Sequence, residues 1–171
     1  MKMINSKKSG ILLLLIISLA FSVACNKDDS KNPLDPEGEI SEYLVFGHFR
    51  GLCHGEACIE TYMLKEGKLF EDTQDRYFIT DEFLWVQLSH ELYQSASDLE
   101  TLLPQELVDI ESKTFGIPDS YDQGGYYIEY KKENSEAKVW RIDTDKSSVP
   151  DFLHLFMDEL NKRVDHLSKS E

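Results

Sequence analysis

A two-layer α+β fold, antiparallel hairpins or a small sheet packed against a C-terminal helix, follows from three observations on the sequence. Between residues 43 and 142, short runs rich in aromatic and β-branched residues alternate with turn-forming clusters, as paired strands do. After residue 148, Val149, Leu153, Phe156, Leu160, Val164 and Leu167 recur at helical spacing, and Phe152 widens the same stripe. Ahead of residue 41 the composition is different, which divides the chain into segments 1–24 and 25–40 and a single domain, 41–171. That domain is long enough for one core and too short for two.

Taken in order, Tyr43-Leu44-Val45-Phe46-Gly47-His48-Phe49 reads as the first strand and Ile59-Glu60-Thr61-Tyr62-Met63-Leu64 as the second. Lys65-Glu66-Gly67-Lys68 makes a tight reversal into Leu69-Phe70, after which residues 71–75 read as a solvated turn. Phe83-Leu84-Trp85-Val86-Gln87-Leu88 is the next strand, with Asp81 and Glu82 as surface charges beside it. Ser97 or Asp98 can cap a short helix through Leu102-Leu103, and Pro104 opens a second over residues 105–110. Residues 114–125 form the longest irregular stretch. Tyr126-Tyr127-Ile128-Glu129-Tyr130 and residues 137–142 then make a hairpin, with Val139 and Arg141 on one face and Trp140 and Ile142 on the other. Ser148-Val149-Pro150-Asp151 resembles a capping box before the last helix. The resulting sheet is expected to hold three to six strands in one layer, covered by that helix.

The first segment carries an address. Lys2, Lys7 and Lys8 form a basic head, residues 11–21 an apolar run, and Ser22-Val23-Ala24 a small-residue end, the order of a secretion signal. The run falls short of the roughly 20 residues that span a bilayer, so cleavage before Cys25 is expected. The box Phe21-Ser22-Val23-Ala24-Cys25 resembles that of bacterial lipoproteins, with Ser22 where their common motif has leucine. The resemblance implies that Cys25 becomes the first mature residue and carries diacylglycerol and a further acyl chain such as palmitate. Asn26-Lys27-Asp28-Asp29 is similar to the surface-export signal of Bacteroidota lipoproteins, which implies an outer-membrane protein facing the cell surface. Residues 30–40, with Asn32-Pro33, Asp35-Pro36 and Gly38, read as a flexible tether.

The whole chain has 32 acidic and 18 basic residues, a formal charge of −14, and the domain after the leader is more acidic still. Such a balance opposes nucleic acid and anionic headgroups, so contact with the membrane is expected through the lipid. With Cys25 lipidated, Cys53 and Cys58 remain, and a pair in an oxidising compartment reads as a disulfide. The alternatives are free thiols, or a zinc or copper seat made by the two thiolates of Cys53-His54-Gly55-Glu56-Ala57-Cys58 and an imidazole, with His48 upstream; the four-residue spacing is not that of the common metal knuckle.

Other constellations are weaker. Residues 119–124 superficially match a calcium loop but lack the acidic series; residues 143–147 come closer but lack glycine at the sixth position and have His154 in place of the closing carboxylate, and Asp143 and Asp145 read instead as acceptors for turn amides. His154 can cluster with Asp151 and Asp158 on a helix surface, where a satisfied histidine is the plainer reading. Neither a nucleophile elbow nor a His-Glu-x-x-His motif occurs, so the chain reads as non-catalytic, with no metal and no cofactor. Tyr121, Asp122 and Tyr126 stand beside the glycine-containing irregular stretch as a candidate binding surface, since tyrosines there make adaptable contacts. At least half of Tyr121, Tyr126, Tyr127 and Tyr130 are expected in the core.

From Phe46-Gly47-His48-Phe49 through the cysteine bend, and again over residues 115–130, the chain resembles uncharacterised small lipoproteins of Bacteroidota. The resemblance implies cysteines flanking a Pro-Asp pair; here Ile117 and Ser120 occupy those positions, which removes a second disulfide or a four-cysteine metal site. The expected function is therefore a lipid-anchored extracytoplasmic binding domain whose partner is an envelope protein, a peptide or a glycan. An envelope structural or assembly factor and a small extracytoplasmic enzyme are the alternatives.

Overall fold

The computed structural model describes residues 41–53, 58–76 and 83–170. The leader, Cys25, the tether, His54 within the cysteine bend, and Asp81 and Glu82 lie outside the described residues. The domain is a seven-stranded mixed sheet with helices packed on it, one strand more than the expected maximum. Its elements are β1 (Tyr43–Phe49), β2 (Ile59–Lys65), β3 (Lys68–Asp72), β4 (Trp85–Gln87), α1 (His90–Ala96), α2 (Leu99–Leu102), α3 (Gln105–Val108), β5 (Lys113–Phe115), β6 (Gly125–Lys131), β7 (Lys138–Asp143) and α4 (His154–Leu167). The strand order is β4-β3-β2-β1-β6-β7-β5, antiparallel throughout except that β5 runs parallel to β7.

Register decides the core. Tyr62, Phe46, Ile128 and Trp140 stand side by side across β2, β1, β6 and β7, and all four are fully buried under the helices. Each such side chain contributes about 2 kcal/mol through apolar burial. The α4 stripe of Phe156, Leu160, Val164 and Leu167 packs on this face, as its periodicity requires, and Leu153 joins it from the turn before. Trp140 is the tryptophan expected in the last hairpin, and Arg141 beside it is exposed.

The opposite face is also apolar. Val45, Met63, Phe49, Ile59, Trp85 and Tyr127 form a second buried cluster there, with Phe70, Phe83 and Val139 partly buried against it. Near its centre Glu129 accepts hydrogen bonds from Tyr43 Oη at 2.6 Å and Tyr127 Oη at 2.7 Å. Burial first, and then the Glu129 carboxylate, hold both phenols well above their ordinary pKa, so they remain donors.

Several local expectations are corrected. Glu71 and Asp72 belong to β3, where the Asp72 carboxylate is buried and accepts the amide of Leu84 at 2.7 Å. The strand expected over 83–88 contracts to β4, and Thr114-Phe115 belongs to β5. The helix α1 was not anticipated; the hydroxyl of Ser89 caps it by accepting the amide of Leu92. Asp98 precedes α2, but its carboxylate turns away from the amides to a bidentate pair with the buried Arg163 of α4, at 3.1 and 2.7 Å. That pair, foremost through its hydrogen bonds, holds the Asp98 carboxyl below its usual range. No capping box starts α4: Ser148 Oγ donates to Asp145 O, and Pro150 opens a single 3-10 turn that runs into the helix.

Candidate functional site

One end of the sheet gathers the loops that the sequence singled out. There β1, β5 and β7 finish and β2 and β6 begin, so residues 50–53 and 58 of the cysteine bend, the 116–124 loop and the 144–153 connection lie at one end. We call this end the tip. Cys53 and Cys58 are joined as a disulfide across the first loop, with Cα atoms 5.5 Å apart. Closing so short a loop contributes about 2 kcal/mol, chiefly by restricting the unfolded chain. Replacing both cysteines by alanine is expected to lower the thermal midpoint accordingly, and an unchanged midpoint would contradict this role.

The second loop is held by carboxylates and by unusual backbone. Gly116, Asp119, Asp122 and Gly124 all adopt positive φ, a region that glycine and, among other residues, aspartate tolerate. Asp119 closes the loop on itself: its amide donates to Gly124 O at 2.9 Å, and its carboxylate accepts the Gly124 amide at 3.0 Å. Asp143, buried at the end of β7, then ties loop and connection together. It accepts the amides of Ile117 and Asp145, each at 2.9 Å, and the side-chain amide of Gln123 at 3.3 Å. Burial pushes the Asp143 carboxyl up, but the amides of Asp145 and Ile117, with Gln123 and Ser148, outweigh it and hold the group below its ordinary pKa.

The 116–124 loop packs closely against its neighbours. A Cβ on Gly116 would lie 2.5 Å from Asp143 Cβ and 2.6 Å from Ser148 Oγ, and one on Gly124 would lie 2.5 Å from Phe49 O. Both glycines therefore serve close approach as well as positive φ. His154 completes the third loop, its Nε2 within 2.9 Å of Lys146 O.

From this framework apolar side chains project outward. Among the described residues the most exposed large apolar groups are Tyr121 at 88 %, Leu52 at 81 %, Ile117 at 70 % and Leu155 at 68 %, and all four lie on tip loops or on the first turn of α4. Asp122 is exposed beside Tyr121. Tyr126 is not part of this surface: it is only 8 % exposed, faces the helices and donates to Asn161 Oδ1 at 3.2 Å. Tyr127 is buried in the other cluster, and Tyr130 is half-buried with its hydroxyl bound to Glu42.

Register also reveals a polar group that sequence reading missed. His48 and Glu60 are cross-strand partners, both buried on the helix side, and Tyr62 Oη donates to Glu60 Oε2 at 2.8 Å. His48 thus lies in the sheet, in register with a carboxylate of the neighbouring strand. Among the described residues, no cluster of three or more His, Cys, Asp or Glu side chains could hold a metal ion. Asp143 and Asp145 are engaged by turn amides, as anticipated. At the opposite end of the sheet a shallow cleft of about 280 Å³ lies between the β2–β3 turn and α1, lined by Glu42, Lys65, Glu66, Tyr93 and Glu100. Burial, then the charge of Glu42, raise the Glu100 carboxyl there.

No protein-family model matches the sequence, and no curated protein matches it.

Proposed function

We propose that the chain is a lipid-anchored, extracytoplasmic domain that works by binding and not by catalysis, with the tip as its contact surface. The observation that carries this reading is the pairing of fixed loops with exposed apolar side chains. A disulfide, a buried carboxylate and interlocked glycines hold the loops, while Tyr121, Leu52, Ile117 and Leu155 remain open to solvent. Holding such groups in place before contact lowers the ordering cost of association. The leader, the small-residue box ending at Cys25 and the disulfide support an oxidising address.

The test uses the full-length chain in its host, with the photo-crosslinking residue p-benzoyl-phenylalanine in place of Tyr121, Leu52 or, as a control, Glu133. Glu133 is exposed on the β6–β7 bend at the far end of the sheet. Irradiation is expected to give a discrete adduct from the tip positions and none from 133; absence of an adduct at both tip positions would overturn the reading. Mass spectrometry of the N-terminal peptide checks the address, with an acylated Cys25 as first residue expected and a retained 1–24 segment contradicting it.

A further inference from the structure

We infer that the tip takes a protein whose contact patch combines apolar side chains with lysine and arginine; this rests on reading the tip as a contact surface. The apolar part is dictated by what the loops expose. Leu52, Ile117 and Leu155 offer aliphatic surface and Tyr121 an aromatic one, so desolvation of carbon is the main gain on contact. The cationic part is dictated by charge. Asp119, Asp122, Asp145 and Asp151 belong to the tip loops, the last three exposed, and among the described residues of these loops Arg50 is an exposed cation. Lys146, also at the tip, is paired with Asp158. A surface that combines exposed apolar side chains with carboxylates is complementary to one that combines apolar with cationic side chains.

The same arrangement disfavours other occupants. Two copies meeting tip to tip would bring carboxylates together, as would approach to anionic headgroups. A glycan needs polar side chains aimed at its hydroxyls beside an aromatic platform, whereas three of the four projecting groups here are aliphatic. A protein patch satisfies both requirements at once.

The experiment uses the adduct formed through p-benzoyl-phenylalanine in place of Tyr121, in membranes isolated from cells making the full chain. Raising salt from about 0.1 M to about 1 M shortens electrostatic reach from about 10 Å to about 3 Å. The adduct yield is expected to fall at least about fivefold over that range. Combining Asp122→Asn with Asp151→Asn is expected to lower the low-salt yield by about threefold or more. Neither substitution removes a buried contact, and asparagine tolerates the positive φ of position 122. Fragment masses should identify a polypeptide other than this chain, crosslinked in a segment bearing lysine or arginine. An adduct with lipid, with glycan or with a second copy would overturn the assignment, as would a protein adduct indifferent to salt and to both substitutions. In those cases the tip still makes contact and only the partner class fails; loss of every adduct at positions 121 and 52 would remove the contact surface itself.

Discussion

Gly47→Ala is expected to destabilise the domain severely. Gly47 sits in β1, the central strand of seven, opposite Thr61 of β2 and Tyr127 of β6. A Cβ there would stand 2.0 Å from Glu60 O and 2.9 Å from Thr61 Cα, both backbone atoms that no rotamer change can move. Relief requires β2 to withdraw from β1, which opens the ladder and both apolar faces together. A loss of at least about 4 kcal/mol follows, against a total of about 5–15 kcal/mol for a domain of ordinary stability. Gly67→Ala separates collision from backbone strain. Gly67 has φ +70° but nothing nearer than Tyr93 Oη at 3.9 Å to a new Cβ, so its replacement should cost only about 1–2 kcal/mol. Thermal unfolding followed by circular dichroism distinguishes the two, and a Gly47→Ala midpoint within a few degrees of the parent would refute the collision.

Asp143→Ala is expected to release the tip while leaving the sheet folded. The substitution orphans the Ile117 and Asp145 amides and the Gln123 side chain, at about 1 kcal/mol or somewhat more each, so about 3 kcal/mol in all. Amide hydrogen exchange at Ile117 and Asp145 should accelerate, while that of Phe46 and Ile128 in the central strands should change only with global stability. The parent protein should show a related acid effect. Because the folded Asp143 carboxyl titrates below its unfolded value, its stabilisation is complete above the ordinary carboxylate range, near about 4, and is lost as pH falls through the depressed folded value. The alanine variant should lack that part of the acid transition. Unchanged exchange at Ile117 in the variant would show that the loop is held by other means.

The strands of β1, β2, β6 and β7 and the helix α4 were legible because each carries its own periodicity over six or more residues. By contrast β5 has three residues and exists by parallel pairing with β7, an interaction whose partner lies some 27 positions away in the chain. The helix α1 left a signal in Leu88, Leu92, Ala96 and Leu99, spaced by four, four and three, which the charged and polar residues between them obscured. Tyr126 and Tyr127 show a different obstacle. Alternation correctly sends neighbours to opposite faces, and it would expose one of them if one face were wet; here both faces are covered, so both are buried. Within the tip, the disulfide and the turn roles of Asp143 and Asp145 follow from local pattern, whereas the reach of Asp143 to Ile117 and the pairing of His48 with Glu60 arise only from register.

The direction of β1 has a mechanical consequence. The described chain enters this central strand at Tyr43, and the strand ends at Phe49, where the interlocked loops begin. Seven residues of extended chain put roughly 20 Å between these two points. A body fastened on the N-terminal side and a body met by the loops are therefore held apart by the length of the sheet. Because β1 is hydrogen-bonded along both edges, a pull between the two bodies loads its ladders in shear, many bonds at once, instead of peeling them one by one.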